Sequence, residues 1–111
     1  MDVAKQLGGG HKEKYYCNAI EQGLTYRKIK FQREYYIPVQ YRNNIVGKYF
    51  VDFFIEDKED KIVLEIKRGK FITPMIISQV KYYLDALDLK LAIVGIFTYK
   101  GVILKRILNE Y

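Results

Sequence analysis

The chain has 111 residues, enough for one compact domain and too few for two. Half of them are apolar or aromatic and 29% are charged, which excludes a disordered chain. The net charge of +6, from 19 Lys+Arg against 13 Asp+Glu, favours a polyanionic partner, without separating nucleic acid from an anionic surface. A single cysteine, Cys17, excludes an internal disulfide and suits a reducing compartment. The segment Met1–Lys5 lacks the apolar core of a signal peptide, and the longest apolar run, Leu91 to Phe97, is too short to span a bilayer. The expectation is a cytoplasmic protein with no membrane part.

In chain order, Gly8-Gly9-Gly10 reads as a flexible lead-in to a helix. That helix is predicted from about His11 to Arg27, where Tyr16, Ala19, Ile20 and Leu24 recur on one face. Gly23 weakens it by about 1 kcal/mol. Phe31 to Tyr41 is rich in Tyr, Ile and Val and reads as a strand, with Pro38 marking an edge position or a bulge. Arg42-Asn43-Asn44 is a turn, since Asn tolerates positive φ. A second strand, Val46 to Glu56, is followed by a charged turn at Asp57–Asp60 and a third strand, Lys61 to Arg68. These three form an antiparallel meander. Thr73 is a suitable N-cap and Pro74 a suitable first residue for a second helix, whose buried stripe is Ile76, Ile77, Val80, Tyr83, Leu84 and Leu87. Leu89 to Thr98 is a continuous apolar run typical of a central strand. Tyr99-Lys100-Gly101 turns into a last strand, Val102 to Ile107. The helix between the third and fourth strands makes that pair parallel. The fold class is therefore α/β: one domain, a mixed sheet of about five strands flanked by helices.

Three charges stand where an apolar residue is expected. Asp52 interrupts Tyr49–Ile55, and Glu65 and Lys67 interrupt Ile62–Lys67. Strand alternation puts Leu64 and Ile66 on one side and Glu65 and Lys67 on the other, and by the same rule sets Asp52 opposite Val51 and Phe53. Pairing back from the turn at Asp57–Asp60 brings Asp52 beside Glu65 and Lys67. Two carboxylates at close range favour protonation unless a cation joins them, and Mg²⁺ prefers such oxygen ligands. A lysine beside the metal can orient or deprotonate water, a set suited to phosphodiester hydrolysis. An E-x-K triplet is by itself common: Glu59-Asp60-Lys61 is another, in a polar turn, and reads as a solvated loop. Glu65 and Lys67 alone are more simply a surface ion pair, and Asp52 one hairpin upstream brings the two readings level.

The segment Gly10-His11-Lys12-Glu13-Lys14-Tyr15-Tyr16 resembles the G-x-x-E-x-x-Y signature of the GxxExxY family, a branch of the PD-(D/E)xK nucleases. The likeness runs on through Ala19-Ile20, Ile37-Pro38-Val39, Val51-Asp52-Phe53, Leu64-Glu65-Ile66-Lys67, Thr73-Pro74, Gln79-Val80 and Tyr83-Leu84. It implies a restriction-endonuclease-like core of order α-β-β-β-α-β-β. It also implies Asp52, Glu65 and the main-chain carbonyl of Ile66 as metal ligands, Glu13 as an extra carboxylate, Lys67 on the nucleophilic water, Gln79 at the edge of the site and Tyr83 lining its pocket. Two positions depart from the family pattern: Lys28 stands where a Gly usually ends the first helix, and Glu34 where a Gln is common. Read without the resemblance, Glu13 is a solvated acid, Gln79 a surface residue, Tyr83 a core residue, His11 a helix-start residue and Cys17 a small helix residue.

Arg68 and Lys70, directly after the triplet, are the first candidates for phosphate contact. Lys30 and Arg33, in a basic stretch around Phe31, are the second, although a solvated face accounts for that stretch more simply. The reading that results is a Mg²⁺-dependent (or Mn²⁺-dependent) deoxyribonuclease, working as a homodimer where two strands must be cut. The alternative is a catalytically inactive nucleic-acid-binding module of the same fold.

Overall fold

The computed structural model describes residues 2–109. Helix α1 (Asp2–Leu7) and helix α2 (Glu13–Tyr26) precede the meander of β1 (Lys30–Tyr41), β2 (Asn44–Asp57) and β3 (Asp60–Arg68); α3 (Pro74–Leu87), β4 (Leu91–Thr98) and β5 (Gly101–Leu108) follow. The strands form one sheet in the order β1-β2-β3-β4-β5. All neighbours are antiparallel except β3 and β4, which the α3 crossover leaves parallel. The expected mixed five-stranded sheet with flanking helices is what the chain adopts, with α1 as an added helix.

The local chemistry explains most boundaries. Arg42 and Asn43 both take positive φ, 49° and 66°, in a two-residue turn that pairs Tyr41 with Asn44. Thr73 caps α3 by accepting the N–H of Ile76 at 3.2 Å, with Pro74 in the first turn. Lys28 adopts a left-handed φ of 59°, and Ile29 N–H returns to the carbonyl of Leu24 at 3.0 Å. A lysine thus holds the conformation that glycine usually supplies after a helix, and α2 ends where its pattern stops. Pro38 lies on the edge strand β1, just before a register irregularity between Val39 and Gln40.

The sheet has a core on each face. α3 supplies Val80, Tyr83 and Leu84 to one, with Ile37, Val51, Phe54, Val63 and Val94 beneath. α2 supplies Tyr16, Cys17 and Ile20 to the other, with Phe53, Ile55, Leu64, Ile66 and Phe97. Leu64 and Ile66 share the α2 side, as alternation requires.

Strand β2 departs from its expected alternation. Val51 joins the α3 core and Phe53 the α2 core, so the apolar pattern changes face across Asp52. Asp52 does not simply face away from two neighbours on a common side. The change coincides with Glu34 of β1, at a positive φ of 50° between the pairs Arg33↔Phe53 and Tyr35↔Val51.

The glycine run is also different from its expected flexible lead-in. A Cβ on Gly9 would lie 2.7 Å from Tyr99 Cα, so the segment is pressed against the β4–β5 turn, and only glycine permits that approach. Tyr16 reinforces the contact: its hydroxyl donates to the Gly8 carbonyl at 2.8 Å, and its ring stacks on Phe97 at 4.0 Å between centroids.

Candidate active site

The β2–β3 ladder ends at the pair Phe53↔Leu64. Beyond it the strands part, and acidic side chains take over the lost main-chain bonding. Asp52 Oδ2 accepts the N–H of Ile66 at 2.7 Å, and Glu65 Oε1 accepts the N–H of Asp52 at 3.1 Å. Each acid thereby clasps the backbone of the opposite strand. Together the two bonds fix both carboxyl groups at the fork.

Glu65 is 4% exposed. Tyr83 of α3 reaches it from below, its hydroxyl 3.3 Å from Oε2, and Lys67 Nζ lies 3.9 Å from the same oxygen. Burial, and then the charge of Asp52, push the Glu65 carboxyl up to about 8. The same causes, burial first and then Glu65, raise the Tyr83 phenol above its ordinary range, so it remains a donor. Cys17 is buried beneath the cluster and its thiol is pushed up to about 12 by burial and by Asp52, which makes it an inert core residue.

The donor set suits a hard divalent cation. It is made of oxygen, it carries two carboxylates, and the proton that Glu65 retains near neutrality is one a cation would displace. Among the described residues no three His, Cys, Asp or Glu side chains converge as a metal cluster. The oxygens at the fork are those of Asp52 and Glu65, with the main chain of Ile66 held by Asp52.

The other sequence candidates divide. Glu13, in the first turn of α2, accepts the N–H of Arg68 at 2.8 Å, joining the start of α2 to the end of β3 instead of completing the carboxylate pair. With Lys12, Arg68 and Gly69 it lines a cleft of about 480 Å³. Gln79 lies half-buried one turn before Tyr83 on α3 and makes no hydrogen bond to Asp52 or Glu65. Lys70 is exposed just beyond Arg68.

The pocket-lining candidate Tyr83, also expected to touch nucleic acid, and the phosphate candidate Arg33 need correction. Tyr83 is 1% exposed, so it supports Glu65 from within the core and cannot touch a strand. Arg33 donates to Asn18 at 2.8 Å, pairs with Glu21 at 3.7 Å and lies over the Phe53 ring, which ties β1 to α2. Lys30 pairs with Glu56 at 3.4 Å across the β1–β2 ladder but stays 73% exposed, and a surface pair of this kind holds it only weakly. What sequence reasoning missed is the tyrosine chain behind the site. Tyr49 of β2 packs against the rings of Tyr82 and Tyr83 at 5.8 and 5.7 Å, and Tyr82 donates to the Pro38 carbonyl at 3.0 Å. The adjacent Tyr82-Tyr83 on α3 is the only trace of it in the sequence.

A family model described as the PD-(D/E)XK nuclease superfamily matches residues 1–107. The chain belongs to that superfamily. No curated protein matches it. Among solved structures, it is similar to SSO0001, with a TM-score of 0.68 and 17% identity, over 88% of this chain and 51% of that one. It is also similar to Hjc, a Holliday junction resolvase from Archaeoglobus fulgidus, an archaeal hyperthermophile, with a TM-score of 0.55 and 11% identity, over 88% of this chain and 73% of that one. At these identities the likeness is one of fold. The chain spans about half the length of SSO0001.

Proposed function

We propose that this protein is a metal-dependent nuclease that hydrolyses DNA phosphodiester bonds, with Mg²⁺ as the working ion and Mn²⁺ as a substitute. The observation that carries the reading is the fork between β2 and β3, where Asp52, Glu65 and Lys67 meet and the buried Glu65 carboxyl holds its proton unusually strongly. Nucleases of this superfamily generally use divalent metal ions. The Hjc likeness favours DNA as the substrate, and the net charge of +6 suits a polyanionic one. The Gly10–Tyr16 segment supports a place in the GxxExxY branch.

Asp52 and Glu65 would hold the ion, with the main-chain carbonyl of Ile66 as a further ligand. The bound ion would neutralise charge growing on the phosphate and make its water more acidic. Tyr83 fixes one Glu65 oxygen by donating to it. Lys67 is placed to orient the attacking water and to balance negative charge, its ammonium beside Glu65 and partly open to solvent. Arg68 and Lys70, exposed at the end of β3, would hold the scissile strand's phosphates. Cutting both strands of a duplex needs two such centres, which a symmetric dimer would supply.

A cleavage panel of single-stranded, duplex and branched DNA, with Mg²⁺, Mn²⁺ or EDTA, tests the reading. Cutting with metal and none with EDTA is expected. Asp52→Ala or Lys67→Ala should lower the rate at least about a thousandfold while leaving the far-ultraviolet spectrum unchanged. Full activity in both variants would sink the assignment. No cutting at all, together with no carboxylate-dependent metal site by calorimetry, would leave the inactive binding module as the reading.

A further inference from the structure

Between Tyr36 and Phe50 the β1–β2 hairpin leaves the rest of the sheet. β3 pairs with β2 only from Phe53 onward, so residues 44–52 have β1 as their sole strand neighbour. The inner side of this arm is well secured. Tyr82 donates to the Pro38 carbonyl, and Tyr49 packs on Tyr82 and Tyr83, directly behind Glu65.

The outer side is apolar and open. Tyr36 and Phe50 are cross-strand partners whose rings lie 5.8 Å apart, and they remain 45% and 48% exposed. Toward the tip Ile45 and Val46 are more than half exposed, as is Tyr41, which strand alternation sets on the Ile37 side. The two cations of the arm sit over these rings: Arg42 lies 5.3 Å from the Tyr41 centroid and Lys48 5.8 Å from that of Phe50. Residues 36–50 contain no Asp or Glu.

Charge decides between occupants. A second copy of the arm would bring like charges together with no acid to offset them. A nucleic-acid strand offers phosphates to Arg42 and Lys48 and π-faces to Tyr36 and Phe50, the combination that holds single strands. Ile45 and Val46 at the tip have the shape of the apolar wedges that part base steps. Only Val51 separates Phe50 from Asp52, so a strand lying on the arm leads directly to the carboxylate fork.

We propose that the β1–β2 arm is a stacking surface for unpaired nucleotides and directs the nuclease to DNA with unstacked bases, at forks, flaps or branches, over continuous duplex. This rests on the nuclease reading for its consequence in cleavage, though not for the binding itself.

The test is fluorescence anisotropy in EDTA, where binding is read without cutting, using a labelled 20-mer single strand, its duplex and a splayed fork. Wild-type protein should bind the single strand and the fork more tightly than the duplex. Tyr36→Ser with Phe50→Ser should weaken single-strand and fork binding about tenfold or more, with duplex binding changed less than twofold. Arg42→Gln with Lys48→Gln should weaken all three and flatten the salt dependence. Phe50→Leu keeps the apolar packing without the ring, and should show the same selective loss if the double variant does not fold. Equal loss on every substrate, or none, would overturn the proposal. So would unchanged DNA affinities with a solution mass that falls in the ring variants, which would make the arm a protein interface. Selective loss of binding in a protein that cuts nothing would uphold the arm and refute the nuclease reading; cutting that ignores the ring variants in both binding and substrate choice would do the reverse.

Discussion

Strand β2 is two structures in one. From Phe53 to Asp57 it lies between β1 and β3, with Phe53 and Ile55 under α2 and Phe54 under α3. From Asn44 to Phe50 it has one strand neighbour, and its outer face carries the half-exposed ring of Phe50. The first half is held by burial on both faces, the second by hydrogen bonding to β1 and a few tyrosine contacts on one face. The candidate site lies at the junction, where main-chain pairing with β3 stops and side-chain carboxylates replace it. The fork thus lies where a half covered on both faces meets a projecting one.

Truncating one ring in each half contrasts them most strongly. Phe53→Ala empties a fully buried site and is expected to cost about 3–5 kcal/mol, whereas Phe50→Ala, half-exposed, should cost less than about 1 kcal/mol. Urea denaturation measures both, and equal losses would mean that the arm is part of the main core. A smaller effect comes from the junction. Because the folded Glu65 carboxyl is raised from 4.5 to about 8, the metal-free native state keeps a proton that the unfolded chain gives up. Its contribution is complete below about pH 4.5 and is lost as pH rises toward 8. Glu65→Gln removes that dependence, so in EDTA the variant should gain stability over wild type between pH 5 and 8, read by thermal melting. A constant difference across that range would contradict the raised carboxyl. The smallest effect is Tyr82→Phe, which deletes the hydroxyl on Pro38 and should cost about 1 kcal/mol, with faster amide exchange confined to the arm. Exchange that speeds up throughout the sheet would show that the arm and the sheet unfold together.

Much of this was legible from residues alone. The turn at Arg42–Asn43, the Thr73–Pro74 start of α3, the parallel β3–β4 pair and the meeting of Asp52 with Glu65 and Lys67 all follow from local chemistry and strand period. What escaped depends on contacts distant in sequence. Helix α1 is short and polar, and Val3 and Ala4 gain their place only by packing on the α2 core. The change of face at Asp52 coincides with the backbone of Glu34 on the neighbouring strand, and nothing in β2 itself announces it. Arg33 looked free because its partners, Asn18 and Glu21, lie on a helix that only the fold brings near. Tyr83 was legible as a core residue from its stripe, but not the bond its hydroxyl makes to Glu65 of β3.

The reciprocal grip of the two acids has a mechanical result. Asp52 holds the amide of Ile66 while Glu65 holds the amide of Asp52, so each carboxyl group grips the strand that carries the other, with Glu65 held further by Tyr83 and Lys67. Loss of either one frees the strand that positions its partner. Single substitutions at the two positions therefore each report on a shared device, and their separate costs will sum to more than the cost of removing both.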